Sequence, residues 1–182
     1  GSALSHQGII REAKRLGLKN VLIFEDDCIF YDNFKEKAKI YANELKNIEW
    51  DIFYFGGLPN EGECTFVSNN LARISTGVYC AHAYAVNNTY YDRILSSYGY
   101  PIDILYLNAD PYSVKKIVGA ELLAIQDNSF SDLWGYCPTE REECMKVAWL
   151  KYVQKPNNYS KSKSMDHFFY KLPNWFNFPN FY

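Results

Sequence analysis

Residues 21–27 read Val-Leu-Ile-Phe-Glu-Asp-Asp, so that four apolar residues run directly into three carboxylates. A continuous apolar run of this kind is typical of a buried strand in a parallel sheet. Ligands of open α/β sheets bind beyond the carboxyl ends of such strands, which is where Glu25, Asp26 and Asp27 stand. The stretch therefore predicts an α/β fold with a ligand site at the end of this strand.

The three carboxylates leave two interpretations open. Adjacent negative charges repel one another unless a cation or a set of hydrogen-bond donors compensates them. Carboxylate oxygens suit Mn²⁺ or Mg²⁺ held together with a substrate phosphate, which would make Glu25, Asp26 and Asp27 a metal site for a diphosphate. The alternative is a solvated turn that caps the next helix, and so short a motif does not decide between them.

Helix and strand patterns alternate on both sides of this stretch. Apolar residues recur at helical spacing over 6–15, where Ser5 is the expected N-cap and Gly17 the stop. A second helix is expected from a cap at Asp32 to about Lys46. Further strands are predicted at 51–55, 71–75, 78–86 and 118–125, with a loop over 58–70, a hairpin over 71–86 and a short helix from Asn87 or Asn88 to Leu95.

The length, net charge and composition of the chain limit the classes of function. The 182 residues fit one domain, and a formal net charge of -2 provides no basic field for a nucleic acid. No apolar run approaches the roughly 18 residues that span a bilayer, so no transmembrane segment or signal peptide is expected. Five cysteines without a Cys-x-x-Cys pair favour a reducing compartment, the cytoplasm, or the host cytoplasm for a viral chain. Aromatic residues, at 18%, favour a sugar or nucleotide ligand, on which their flat rings stack.

Six short motifs follow one another in a recognisable order. They are Leu4-Ser5-His6, the run ending in Glu25-Asp26-Asp27, Trp-Asp-Ile-Phe-Tyr-Phe-Gly-Gly at 50–57, Ala-His-Ala-Tyr-Ala-Val at 81–86, Pro101-Ile102-Asp103, and Gln-Asp-Asn-Ser-Phe-Ser-Asp at 126–132. Together they resemble glycosyltransferase family 25, which contains lipooligosaccharide and collagen hydroxylysine galactosyltransferases. The resemblance extends over about residues 4–132.

The resemblance implies a nucleotide-sugar transferase fold of the GT-A type, with a central mixed sheet flanked by helices. It also implies an inverting enzyme that moves a hexose, galactose or glucose, from a UDP-sugar to a hydroxyl of a glycan or protein acceptor such as hydroxylysine. The acidic triplet matches the family's Asp-x-Asp-like motif, so Asp27, with Glu25 or Asp26, would hold Mn²⁺ (or Mg²⁺) against the donor diphosphate. Such an ion stabilises the charge that develops on the leaving group.

The resemblance also proposes a catalytic base and a pocket. Asp103 matches the acid of the family's Pro-Ile-Asp-like motif and would accept the proton of the acceptor hydroxyl, although it could instead cap a helix that opens after Pro101. Seven further residues are expected around donor and acceptor: Gly56, Gly57, His82, Tyr84, Gln126, Ser131 and Asp132. For several of them a purely structural role stays open, since His82 could be a core histidine and Asp132 a turn acid.

Family members begin with an additional strand, and this sequence starts after the position of that strand. We therefore expect an unpaired sheet edge, which would favour a homodimer. The predicted domain covers residues 3–182, with a family-like core over 3–132 and an aromatic-rich C-terminal extension over 133–182 that packs across the surface. The alternative function is a catalytically inactive module that binds a carbohydrate or a protein.

Overall fold

The computed structural model describes residues 2–97, 102–107, 113–127 and 141–153. The helices are α1 (Ser2–Arg15), α2 (Phe34–Leu45), α3 (Tyr91–Leu95), α4 (Ile102–Leu107) and α5 (Arg141–Tyr152), with a 3-10 turn at Asn88–Tyr90. The strands are β1 (Asn20–Phe24), β2 (Cys28–Phe30), β3 (Ile52–Tyr54), β4 (Leu58–Pro59), β5 (Cys64–Phe66), β6 (Leu71–Ile74), β7 (Val78–Tyr79), β8 (Ala83–Asn87), β9 (Lys116–Gly119) and β10 (Ala124–Gln126).

The main sheet is mixed. Its six strands lie in the order β1-β8-β3-β9-β6-β5. β3 and β9 are parallel, and the other neighbours are antiparallel. Two short antiparallel pairs, β10 with β2 and β4 with β7, complete the strand pairing of the described residues. The prediction of an α/β fold with a mixed central sheet between helices is confirmed.

Helices cover both faces of this sheet because β3 is apolar on both sides. Ile52 and Tyr54 belong to a core that includes Ile10 and Ala13 of α1 and Trp149 of α5. Phe53, between them, faces the opposite core, which holds Tyr41 and Leu45 of α2. Successive residues of a strand point to opposite faces, so an unbroken apolar run at this position requires a helix on each side.

The position of β1 corrects the expectation of a buried strand in a parallel sheet. β1 is an edge strand that pairs antiparallel with β8, and only Ile23 of its five residues is buried. Leu22 and Phe24 are 48% and 40% exposed. Within the described part of the chain β1 has no second neighbour in its sheet, and the predicted homodimer stays a prediction.

Several predicted boundaries are also wrong. Ser5 lies inside α1 rather than at its cap, and Asn33 instead of Asp32 occupies the N-cap of α2, without a side-chain cap bond. The predicted loop over 58–70 contains β4 and β5, and the strand predicted over 118–125 is divided between β9 and β10. The predicted hairpin over 71–86 does not form, since β6 pairs with β5 and β9. β9 is distant from β6 along the chain, and local periodicity does not encode such contacts.

Among the described helices, none is both long enough and apolar enough to cross a lipid bilayer. The predicted aromatic extension from residue 155 onward lies outside the described residues.

Candidate functional site

The three acids lie in a tight turn between β1 and β2, which we name the acidic turn (residues 25–28). The Cys28 N–H donates to Glu25 O at 3.2 Å and closes the turn. The Glu25 N–H donates to His82 O at 2.9 Å, so the turn begins where the β1–β8 pairing ends. The backbone thus holds the acids at the end of β1, as the sequence predicted.

Gln126 brings two of the carboxylates together. It lies at the end of β10, opposite Cys28 in the β10–β2 pair. Its side-chain Nε2 donates to Glu25 Oε2 and to Asp27 Oδ2, each at 3.1 Å. The two acceptor oxygens are therefore no further apart than twice that distance. Gln126, which the sequence placed near donor or acceptor, contacts the acidic pair directly.

Asp27 has one carboxylate oxygen without a hydrogen bond. Oδ1 is buried and has no partner among the described residues, whereas Oδ2 accepts from Gln126. Burial raises the pKa of Asp27, and the negative charge of Glu25 raises it further. A buried carboxylate oxygen without a donor is costly, and a bound cation would remove that cost.

Asp26 differs from its neighbours. It is exposed and forms no hydrogen bond or ion pair with any residue that the structure describes. No three His, Cys, Asp or Glu side chains of the described residues are arranged to hold a metal ion by themselves. The structure thus brings together Glu25 and Asp27, and a metal role for any of the three acids stays a prediction.

The acidic pair fits a Mn²⁺ or Mg²⁺ ion that is shared with a substrate. Mg²⁺ is usually bound by one or two carboxylates together with substrate phosphates and water, rather than by an all-protein cage. Glu25 and Asp27 supply two carboxylates, and the unpaired Oδ1 of Asp27 is a free ligand atom. A closed structural site of Cys and His ligands does not match this donor set.

Arg141 at the start of α5 adds a positive charge that sequence reasoning missed. Its Nη1 lies 3.6 Å from Asp27 Oδ2 and donates to Asp127 O at 3.3 Å. The Asp127 N–H in turn donates to Asp27 O at 2.9 Å. No local pattern around residue 141 indicates this contact, because α5 reaches the acidic turn only through the tertiary fold.

His6 of α1 is the second residue that was missed. It is 4% exposed, and its Nε2 lies 3.1 Å from Glu25 Oε1. The Leu4-Ser5-His6 motif and the helical spacing of His6, Ile10 and Ala13 were the available signals, since that spacing puts all three on the buried face of α1. A side chain on the buried face of a helix next to the acidic strand could have been expected near the turn.

Asp103 occupies the first turn of α4 and contacts the loop between β7 and β8. Its Oδ2 accepts from the Cys80 N–H at 3.4 Å. Cys80 has a φ of 66°, a left-handed conformation that is uncommon for a residue with a side chain. Burial raises the pKa of the Cys80 thiol to about 12, and the charges of Asp103, Glu25 and Asp27 act in the same direction. Asp103 therefore contacts the Cys80 backbone, and the catalytic role of Asp103 stays a prediction.

Four other predicted pocket residues lie in the interior. His82 and Tyr84 are 0% exposed. His82 places its ring nitrogens 3.1 Å from Cys80 O and 3.2 Å from Ala124 O, and burial lowers its pKa. A side chain on Gly56 would meet Ala124 O at 1.9 Å, and Gly57 has a φ of 141°. These positions favour support of the site over contact with a ligand, while Ser131 and Asp132 lie outside the described residues.

Comparison with known sequences identifies the family of this chain. The sequence profile of glycosyltransferase family 25, described as an LPS biosynthesis protein, matches residues 1–126. The chain belongs to glycosyltransferase family 25. The resemblance inferred from the six motifs is therefore confirmed, and the matched range contains the acidic turn, Asp103 and Gln126.

Several mammalian proteins of glycosyltransferase family 25 are similar over a short segment. The probable inactive glycosyltransferase 25 family member 3 of Rattus norvegicus is 36% identical over 58 residues, 31% of this chain and 10% of that protein. The inactive glycosyltransferase 25 family member 3 of Homo sapiens is 38% identical over 58 residues, with the same shares. The match thus spans about a tenth of the length of these relatives.

Proposed function

We propose that this chain is the donor-binding and catalytic part of a metal-dependent, inverting hexosyltransferase with a GT-A-type fold. The observation that supports this proposal most directly is the pairing of Glu25 with Asp27 around Gln126, together with the buried and unpartnered Oδ1 of Asp27. Membership of glycosyltransferase family 25 supports the reaction class. UDP-hexose is the proposed donor, and a hydroxyl of a glycan or protein is the proposed acceptor.

In this proposal Glu25 and Asp27 hold Mn²⁺ or Mg²⁺. When bound, such an ion would supply a positive charge that stabilises the diphosphate leaving group without proton transfer. Gln126 keeps the two carboxylates together, since its single amide nitrogen binds both. Arg141 provides a second positive charge beside Asp27, where a diphosphate would find an ion-pair partner.

Asp103 is the proposed base. The acceptor oxygen forms a bond to the anomeric carbon on the face opposite the leaving group, and the bond from that carbon to the phosphate oxygen breaks. The electron pair of the broken bond leaves with UDP, and the hydroxyl proton passes to the Asp103 carboxylate. The hydrogen bond from the Cys80 N–H fixes one oxygen of this carboxylate.

The second candidate function is an inactive module that keeps the fold and binds a carbohydrate or a protein. The similar mammalian proteins are named inactive or probable inactive members of the family, which supports this alternative. Arg141 offers a physical basis for it, because a built-in cation next to Asp27 can compensate the carboxylate without a metal.

Calorimetric titration of UDP into the protein, with and without Mn²⁺, separates the two functions. For a transferase we expect binding that requires Mn²⁺ and that weakens at least about tenfold in Asp27→Asn, the loss typical of damaged metal sites. Asp26→Asn is the matched control, since Asp26 is adjacent but exposed. It should bind UDP and Mn²⁺ as the wild type does.

Two results of this titration would contradict the proposal that the chain is a transferase. The first is the absence of UDP binding in the presence of Mn²⁺, which favours the module. The second is UDP binding that is equal in the wild type and in Asp27→Asn.

A turnover assay with UDP-galactose and UDP-glucose tests the proposed base, with Asp103→Asn as the variant. We expect Asp103→Asn to keep donor binding and to lower the rate of transfer by about 10²-fold or more.

A further inference from the structure

A chain of buried hydrogen bonds leads from α4 to the acidic turn. The Tyr106 hydroxyl of α4 donates to the Tyr84 hydroxyl of β8 at 3.2 Å. The Tyr84 hydroxyl lies 2.6 Å from His6 Nδ1, and His6 Nε2 lies 3.1 Å from Glu25 Oε1. Tyr84 and Tyr106 are 0% exposed and His6 is 4% exposed, so no ligand reaches the links of this chain. The four residues come from four different segments of the fold.

The chemistry of the end group sets the direction of the bond between His6 and Glu25. An ionised glutamate only accepts hydrogen bonds, so His6 Nε2 carries the proton of the bond to Glu25. In the tautomer with a single ring proton on Nε2, His6 Nδ1 accepts, and the Tyr84 hydroxyl donates to it. The Tyr84 oxygen is left as the acceptor for Tyr106. In this tautomer each hydroxyl and each ring nitrogen has one defined role.

We infer that His6 is a positioning residue for Glu25, and that Tyr84 and Tyr106 fix the tautomer in which His6 acts. This inference rests on the proposed function, in which Glu25 is a metal ligand. The His6 N–H occupies Oε1 of Glu25, and Gln126 occupies Oε2. A carboxylate that is held at both oxygens keeps one orientation, which lowers the conformational cost of binding a metal.

The same chain connects the two halves of the proposed site. Tyr106 lies three residues after Asp103 on α4, and residues at that spacing are neighbours on a helix surface. A displacement of α4 would therefore be transmitted through Tyr84 and His6 to Glu25. These three buried side chains therefore link the helix of Asp103, the proposed base, to Glu25, a proposed metal ligand.

Tyr84→Phe tests the inference because it cuts the chain at a residue that does not touch Glu25. Without the hydroxyl, His6 Nδ1 loses its donor, and the tautomer with the proton on Nδ1 becomes accessible. That tautomer has no N–H to offer to Glu25. We expect the affinity for Mn²⁺ alone, measured by calorimetry on the full chain, to fall about tenfold.

Tyr54→Phe is the matched control. Tyr54 is another fully buried tyrosine of the same core, with its ring centroid 6.4 Å from that of Tyr84. Its hydroxyl has no hydrogen-bond partner among the described residues. The substitution removes the same atom from the same environment, so the affinity for Mn²⁺ should not change. Equal Mn²⁺ affinity in Tyr84→Phe and in the wild type would overturn the positioning role.

The tautomer of His6 is measured independently of any metal. In the ¹⁵N spectrum of the imidazole, the metal-free wild type should show His6 with its proton on Nε2, and Tyr84→Phe should show an increased share of the Nδ1 form. A wild type with the proton on Nδ1 would overturn the inference. If the wild type binds no Mn²⁺, the metal site of the proposed function fails, and the tautomer result alone then decides whether Tyr84 controls His6.

Discussion

Glu25, Asp26 and Asp27 are adjacent and carry the same charge, yet each has a different environment. Glu25 accepts from His6 and Gln126, Asp27 lies between Gln126 and Arg141, and Asp26 is exposed. A tight turn changes the direction of the chain at each residue, so neighbours in sequence do not share neighbours in space. The different environments of these three acids are therefore set by contacts rather than by residue type.

Gly56 provides a prediction at the scale of one residue. A Cβ at this position would lie 1.9 Å from Ala124 O and 2.9 Å from His82 Nε2, so the backbone of β10 would have to move. We expect Gly56→Ala to lower the free energy of unfolding by about 1–3 kcal/mol, the usual cost of overpacking. Urea denaturation followed by circular dichroism measures this change.

Gly8→Ala is the control for the same substitution. Gly8 lies in α1, and a Cβ there meets no atom within 4 Å. Since glycine within a helix costs about 0.5–1 kcal/mol relative to alanine, this variant should be as stable as the wild type or more stable. A Gly56→Ala variant with unchanged stability would show that β10 does not pack directly against Gly56.

At the scale of elements, the strand order explains why the apolar run before the acidic turn lies at the edge of the sheet. β8 lies between β1 and β3, so β3 takes the central position and β1 the edge. β3 is buried on both faces, as its residues Ile52, Phe53 and Tyr54 show. The run Val-Leu-Ile-Phe has the same apolar character, which is why the sequence alone did not distinguish a central strand from an edge strand.

The contact between α5 and the acidic turn leads to a prediction with two opposite effects. Arg141→Gln removes a positive charge next to Asp27, so the repulsion of a bound cation falls. We expect Mn²⁺ alone to bind more tightly, by about fivefold, since two unit charges 4 Å apart in water interact by about 1 kcal/mol. UDP in saturating Mn²⁺ should bind more weakly, because the diphosphate loses an ion-pair partner.

Calorimetry with Mn²⁺ and then with UDP measures both effects. Lys151→Gln makes the same change of charge on the same helix, at its other end, and should alter neither affinity beyond about twofold. If Arg141→Gln weakens the binding of Mn²⁺ itself, Arg141 acts on the metal site through structure instead of through charge.

At the scale of the whole molecule, the core depends on tyrosines that must stay neutral. Burial raises the pKa of Tyr41 to about 12 and raises the pKa values of Tyr54, Tyr84 and Tyr106 as well. These side chains ionise near pH 10 in the unfolded chain. Between about pH 10 and the raised values the folded state binds more protons than the unfolded state, so stability falls as the pH rises.

We therefore expect a steep alkaline loss of stability that begins near pH 10. Each such tyrosine contributes a slope of about 1.4 kcal/mol per pH unit above about pH 10. Urea denaturation between about pH 8 and pH 11 measures the slope. Tyr54→Phe should reduce this slope by about 1.4 kcal/mol per pH unit, the contribution of one tyrosine. An unchanged slope in this variant would show that Tyr54 ionises in the folded protein.

The spacing of apolar residues along the sequence determined several local elements of this protein. The strand at 52–54, the helix over 6–15 and the acids at the end of β1 follow from apolar periodicity and from the change to charged residues at Glu25. These features need only the alternation of side chains along the backbone, which neighbouring residues specify. The ordered motifs also identified the family.

The tertiary structure decided which strands pair and which side chains meet. Glu25 takes its partners from positions 19 residues before it and 101 residues after it, and Arg141 approaches Asp27 from another helix. Such contacts depend on the packing of the entire core, whose free energy is spread over many residues. The sequence therefore located the acidic turn. Only the tertiary structure showed that Glu25 and Asp27 share Gln126, that Asp26 is exposed, and that His6 contacts Glu25.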